Sequence, residues 1–426
     1  MPLDYTREKF TNGVNFTSIT DKRFKTNYIS VNLITELSSE TAAMNAVIPS
    51  IITKSNSEYK TFSEISKKLT SLYGANLSGD IMKIGDTQAL SFSASCIADI
   101  YALDNEKVTA ETTELLIQCL TSPNIENGGF CEKNFALDKQ ELIDDIDAEI
   151  NEKRSYAIMR AAKTIYAGEP AENTSHGDKE HALAITSKAA YEQYKKLLKT
   201  AQVEIFFVGG GNSEDAKSKF KTLFNSIERD FCGNYTSKIS KLKPQTAEIT
   251  ETLDVAQSKM VMAFKTDVID KPSFMLMNAI YGITPFSKLF LNVREKLSLC
   301  YYCSVGFDER KGAVYVDSGV EHENIQKAKD EIINQLNLVA AGDFTDDEMK
   351  NSALSIINSY KSVNDSPYSL ASWYFSQIFV GEIMSPDQEI ERIKKVTREQ
   401  IITAAKSLKL DTLYILTQKE GTVNAD

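Results

Sequence analysis

Histidine is scarce, with three in 426 residues, so metal chemistry is poorly supplied. The six cysteines (Cys96, Cys119, Cys131, Cys232, Cys300 and Cys303) are scattered, the usage of a chain kept in a reducing compartment. No run of about 18 apolar residues occurs, which argues against a membrane-spanning helix. No apolar leader is visible either, and the expected location is the cytoplasm. Positive charge is in short supply: the net charge of −11 argues against a nucleic-acid surface or an anionic membrane as partner. Phosphate-loop motifs of the G-x-G-x-x-G and G-x-x-x-x-G-K-[ST] types are also missing. Gly209, Gly210 and Gly211, which follow an apolar strand at 203–208, therefore read as a flexible strand-to-helix turn. No cofactor is expected.

What remains is an ordinary globular composition, 42% hydrophobic and 25% charged, in a chain long enough for two or three domains. Strand-like alternation marks Val14 and Phe16, then Ile29, Val31 and Leu33. Ser38 or Ser39 can cap a helix from about Glu40 through Ala43, Met44, Val47 and Ile51, which Pro49 should kink or interrupt. Helices are expected at about 107–119, 132–152, 156–166 and 188–198. From 232 to 254 the sequence turns polar and aperiodic, as a linker does. The pattern then begins again with a strand at 260–264, a second at 314–320, long helices at 324–338 and 345–363, and a closing strand at 412–416. Phe62-Ser63 and Phe286-Ser287 each head a helix followed by two strands. Gly168-Glu169 and Gly381-Glu382 each open a charged loop that steps into a helix and a closing strand. The reading is an α+β fold of two homologous domains, each an antiparallel-rich sheet packed with helices. The domains are 1–231 and 255–426, joined by the linker at 232–254.

The most informative stretch is 286–305, FSKLFLNVREKLSLCYYCSV. Phe286, Leu289, Phe290, Val293 and Leu297 recur at helical spacing, with Arg294 at the edge of that apolar face. The segment from Leu299 to Val305 reads as a strand carrying Tyr301. A guanidinium and a phenol side by side suit a peptide carbonyl or a carboxylate, because both present donors. On spacing alone, a surface Arg beside a packed Tyr is the plainer account. Tyr301 and Tyr302 have opposite strand parity, so one of them should face the cavity, and the sequence leaves open which. Cys300 and Cys303 form a C-x-x-C that enters a strand, where a redox pair of that spacing normally opens a helix, and they read as two inert thiols.

This arrangement, with R-E-K-x-x-L-x-Y running from Arg294 to Tyr301 in the second half, resembles the pitrilysin/insulinase/mitochondrial processing peptidase family over essentially the whole chain. By that resemblance Arg294 and Tyr301 bind the substrate backbone opposite a zinc ion. Active members carry H-x-x-E-H on the first long helix, where this chain has Ala46-Val47-Ile48-Pro49-Ser50. Ala46 and Ser50 then stand at the histidine positions and Pro49 at that of the catalytic Glu. A third ligand would fall near Asp145, within an acidic helix whose Glu141, Asp144, Asp145, Asp147 and Glu149 read as a solvated face. These residues cannot hold zinc or activate its water. His176, His181 and His322 could rebuild a site only if the fold gathered them.

The resemblance implies a non-catalytic, peptide-binding subunit that acts with an H-x-x-E-H-bearing paralogue in a clam-shaped heterodimer, a homodimer being the other arrangement. Stretches such as NAVIPS and LYGANL resemble, more weakly, the bacterial branch labelled for elongation factor P aminopentanol modification. The alternatives are a structural scaffold subunit of a larger assembly, or a peptidase with an unconventional metal site.

Overall fold

A computed structural model describes residues 4–418 apart from 232 and 234. Along the chain come strands β1 (Asp4–Thr11), β2 (Val14–Thr20) and β3 (Thr26–Glu36), helices α1 (Ser39–Lys54) and α2 (Phe62–Ser71), and strands β4 (Asn76–Ile84) and β5 (Thr87–Ile97). Helix α3 (Val108–Thr121), the short hairpin β6 (Ile125–Glu126) and β7 (Gly129–Phe130), and helices α4 (Glu132–Ala148), α5 (Lys153–Ile165), α6 (Lys179–Ala184) and α7 (Ser187–Thr200) follow. Strand β8 (Gln202–Gly209) and helix α8 (Glu214–Ser226) end the first half. The second half holds β9 (Ala247–Thr252), β10 (Ser258–Lys265), α9 (Lys271–Asn278), β11 (Cys300–Asp308), β12 (Ala313–Val320), α10 (Ile325–Ala341) and α11 (Asp346–Ser362). It closes with α12 (Pro367–Gln377), α13 (Pro386–Lys394), α14 (Arg398–Ser407) and β13 (Lys409–Thr417).

The first sheet runs β1-β2-β8-β3-β5-β4 and the second β11-β12-β10-β13-β9. Read from the other edge, the second sheet repeats the order β2-β8-β3-β5-β4, including its one parallel ladder: β2 with β8 in the first, β9 with β13 in the second. Every other ladder in both sheets is antiparallel. This is the expected α+β architecture of two helix-packed, antiparallel-rich sheets, and the matching strand order makes the halves equivalents.

The chain divides into two compact units that do not follow the sequence strictly. The first takes 1–147, 173–236 and 364–382, and the second takes 148–172, 237–363 and 383–426. Strand parity explains why a segment of each half is exchanged. In the first unit Ile29, Val31, Leu33, Val203, Ile205 and Phe207 point to one face, where Val47, Leu116 and Tyr194 from α1, α3 and α7 join them in one buried cluster. Tyr28 and Phe206 point the other way and meet α12, with Tyr28 edge-on to Tyr368 at 5.5 Å and Phe206 edge-on to Phe375 at 6.1 Å. In the second unit Val261, Ala263, Tyr414 and Leu416 pack against Ala157, Ala161 and Ile165 of α5.

Three local features depart from the sequence reading. The polar stretch at 232–254 contains β9, an edge strand whose Glu248, Ile249 and Thr250 are exposed, so it lacked the apolar alternation that marks a half-buried strand. The glycines at 209–211 do form a strand-to-helix turn, but they serve close approach rather than flexibility. The Gly211 N–H donates to Asn27 Oδ1 at 2.9 Å, and a Cβ on Gly210 would meet the Phe24 carbonyl oxygen at 2.1 Å. Helix α1, capped by Ser38, runs through Pro49 without interruption. Pro49 has no N–H to give the Asn45 carbonyl, and its own carbonyl accepts the Thr53 hydroxyl at 2.8 Å.

Strand β4 crosses α1 at this proline. A Cβ on Gly79 would lie 2.3 Å from the Pro49 carbonyl oxygen. Gly79→Ala should therefore push strand and helix apart and cost about 1–3 kcal/mol, read as a lower urea midpoint. An unchanged midpoint would show that the crossing has slack.

Candidate functional site

Leu289–Lys296 winds as a π-helix, following a shorter π-helical turn at Ala279–Ile283. Its wider turn buries Leu289 and Val293 but leaves Leu297, expected on the apolar face, 46% exposed. Arg294 projects from this segment with its guanidinium 4.7 Å from the Phe290 ring centre and 3.6 Å from Glu295. The chain then passes through Ser298 at φ +51°, a left-handed conformation unusual for serine. It enters β11 at a bulge: Cys300 pairs with Val320 and Tyr302 with Gly319, so Tyr301 is the extra residue.

These irregularities set the two candidate side chains on one surface. Arg294 and Tyr301 both line an open groove of about 400 Å³ with Glu295, Ser298, Leu299, Cys300 and Glu321. Tyr301 is 60% exposed there. A hydrogen bond with the Glu321 carboxylate, reinforced by its negative charge, holds the Tyr301 phenol above its usual pKa. Tyr302 points the other way, with two cations close to its ring, Arg154 at 4.3 Å and Lys259 at 5.5 Å from its centre. Of the adjacent tyrosines, the groove takes Tyr301. Chemically the groove offers donors from Arg294 and Tyr301 and acceptors from Glu295 and Glu321, a set that matches the alternating C=O and N–H groups of an extended peptide.

In the first unit, Ala46, Pro49 and Ser50 lie on α1. The buried carboxylate that meets α1 from α4 is Asp138, 5% exposed, while Asp145 stands exposed two turns further on. Asp138 accepts the Ser50 hydroxyl at 2.7 Å and pairs with Lys54 at 2.6 Å. Lys54 also pairs with Glu141 at 2.7 Å. Partial burial works against the Lys54 ammonium, but its hydrogen bonds to Asp138 and Glu141 outweigh this and hold its pKa above the ordinary lysine value. The zinc of active family members does not fit here, since Ala46 and Pro49 have no donor side chain, Ser50 already donates, and the acidic groups are held by Lys54. Glu141, Asp144, Asp145 and Asp147 are exposed as expected, although Asp147 also pairs with Lys179 at 2.5 Å.

The histidines have separate partners. His176 Nδ1 lies 3.1 Å from Ser175 Oγ, His181 Nδ1 2.8 Å from Asp178, and His322 Nδ1 3.0 Å from Thr417 Oγ1. Among the described residues no group of three or more His, Cys, Asp or Glu side chains could hold a metal ion. Sequence reasoning missed Lys54, Asp138 and the role of Glu321. Lys54 was within reach, since it follows Ser50 by one helical turn (i, i+4) on α1.

Residues 184–355 match the family model described as the peptidase M16 inactive domain. A Bacillus subtilis (strain 168) protein named "Probable inactive metalloprotease YmfF" is 26% identical over 413 residues, 96% of this chain and 97% of the relative. The crystal structure of a conserved protein from Enterococcus faecalis V583 superposes with a TM-score of 0.90 at 26% identity, covering 98% of this chain and 99% of that one. A peptidase M16 inactive domain from Pseudomonas fluorescens shares the fold, with a TM-score of 0.80 at 15% identity over 98% of this chain and 99% of that one. Residues 184–355 are thus similar to a peptidase M16 inactive domain, and the chain as a whole is similar, end to end, to a relative named as a probable inactive metalloprotease.

Proposed function

We propose that this chain is a non-catalytic, peptide-binding subunit that works beside a paralogue bearing H-x-x-E-H. The observation that carries the reading is the contrast between its two candidate sites. Where active members hold zinc, an ammonium holds the carboxylates. Where the resemblance places substrate binding, Arg294 and Tyr301 share one groove. Departures from regular backbone cost energy and concentrate where function requires them, and three occur between Leu289 and Tyr301. The relative named "Probable inactive metalloprotease YmfF" supports the loss of hydrolysis. Peptide hydrolysis needs a polarising metal and a positioned backbone, and nothing in the chemistry requires both from one chain.

Arg294→Ala, assayed with the co-purified paralogue on casein fragments, should lower kcat/KM about 10- to 100-fold and leave the zinc content of the complex unchanged. Wild-type kinetics in that variant would take Arg294 out of the substrate's path. The isolated chain should show no casein hydrolysis that a chelator abolishes, and chelator-sensitive turnover at the level of a family peptidase would reverse the assignment.

The first unit yields a separate expectation. Lys54→Ala leaves Asp138 without its cation and should cost about 1–2 kcal/mol, a figure discounted because the Lys54 side chain is 36% exposed. It should bring no zinc into the chain by metal analysis. Stoichiometric zinc in this variant would mean that Lys54 had merely been blocking a usable site.

A further inference from the structure

The C-x-x-C at Cys300 and Cys303 finds a different setting from the inert one its place in a strand implied. In a regular strand residues three apart face opposite sides. Here the bulge at Tyr301 inserts one residue, so Cys300 lies opposite Val320 and Cys303 opposite Ser318. Val320 and Ser318 share a face of β12, and the two thiols therefore share a face of β11. A side-chain interaction between the two sulfurs ties their titrations together. Each cysteine is 8% exposed, and Cys300 lines the groove beside Arg294.

We infer that Cys300 and Cys303 are a reversible dithiol–disulfide pair, with Cys300 the attacking thiol, whose closure re-aims Tyr301 in the groove. The oxidant class is a peroxide entering from the groove. The Cys300 thiolate attacks one peroxide oxygen, the O–O bond breaks, and the departing oxygen takes a proton to leave as water. Cys303 then attacks the sulfenic sulfur, the S–S bond forms, and the second oxygen leaves as water. Two thiols and one peroxide give one disulfide and two waters, the sulfurs supplying both electrons.

The assignment of roles follows from the surroundings. The hydrogen bond from Cys303, with help from the Arg294 charge, lowers the Cys300 pKa, while the same hydrogen bond and burial raise that of Cys303. Tyr301 is the extra residue between the two sulfurs, so drawing them to bonding distance must change the bulge that aims its ring. That this matters to a bound peptide rests on the reading under Proposed function, whereas the disulfide does not.

The test uses the full reduced chain, hydrogen peroxide and mass spectrometry. Oxidation should remove two of the six thiols. The tryptic peptide 297–310 should become about 2 Da lighter, with dithiothreitol reversing it. Recovery of that peptide with both thiols free, or with either bonded to another cysteine, would overturn the pair. Cys303→Ser, treated with peroxide and then with added glutathione, should give a glutathione adduct on Cys300 in place of the internal bond as water leaves the sulfenic sulfur, and an unmodified Cys300 would remove its role as attacker. Acetylation of Tyr301 by N-acetylimidazole should change about threefold or more on oxidation, and an unchanged rate would overturn the coupling to the groove. Casein-fragment affinity forms a separate arm: no binding by the reduced chain would count against the peptide-binding reading and leave the thiol chemistry judged on its own.

Discussion

A sheet with apolar side chains on both sides has to be covered on both sides, and much of this chain's connectivity answers that requirement. Strands β3 and β8 bury residues of both parities. Helices α1, α3 and α7 lie sequentially near the first sheet and cover one face. The opposite face is closed by α12, from far along the sequence. The second sheet borrows α5 from the first half in the same way. Hydrophobic burial, worth roughly 25 cal/mol per Å², is thus completed on the second face of each sheet only when a segment of the other half is present.

The mismatch between the first unit and a zinc site lies in its packing as well as its composition. Without Lys54 and Ser50 as partners Asp138 would be buried and unpaired, which is costly. Lys54 supplies a positive charge there, and Ser50 adds a hydroxyl donor. An ammonium satisfies carboxylates electrostatically but has no open coordination position and cannot activate water. The groove of the second unit retains the opposite character: exposed, chemically mixed and carried on backbone that departs from regular geometry.

Much of the architecture was legible because two kinds of periodicity are written plainly in the chain. The alternation in β3 and the 3.6-residue pattern of α10 and α11 fixed both type and approximate extent. The paired landmarks Phe62-Ser63 and Phe286-Ser287 revealed the duplication. What stayed hidden depends on partners distant in sequence. Strand β9 has little apolar signal because it lies at an edge, and nothing local in α5 or α12 states which sheet it will cover. At the candidate site, Arg294 and Tyr301 were singled out by the R-E-K-x-x-L-x-Y resemblance, since spacing alone favoured a surface Arg beside a packed Tyr. The π-helix and the bulge that bring them together were not, since no residue type announces either. Asp138 was overlooked in favour of Asp145 because an acidic helix shows its charges in sequence but not which of them is turned inward.

The exchange of α5 and α12 also bears on how such a chain comes into being. A ribosome delivers the first sheet complete, with Phe206 and Tyr28 on its outer face, long before it delivers the helix that shields them. Through that interval the nascent first half carries an uncovered aromatic surface, the kind that chaperones hold and that neighbouring chains on a polysome can stick to. A polypeptide cut between its halves inherits that condition permanently, however well each fragment reproduces its own strand order.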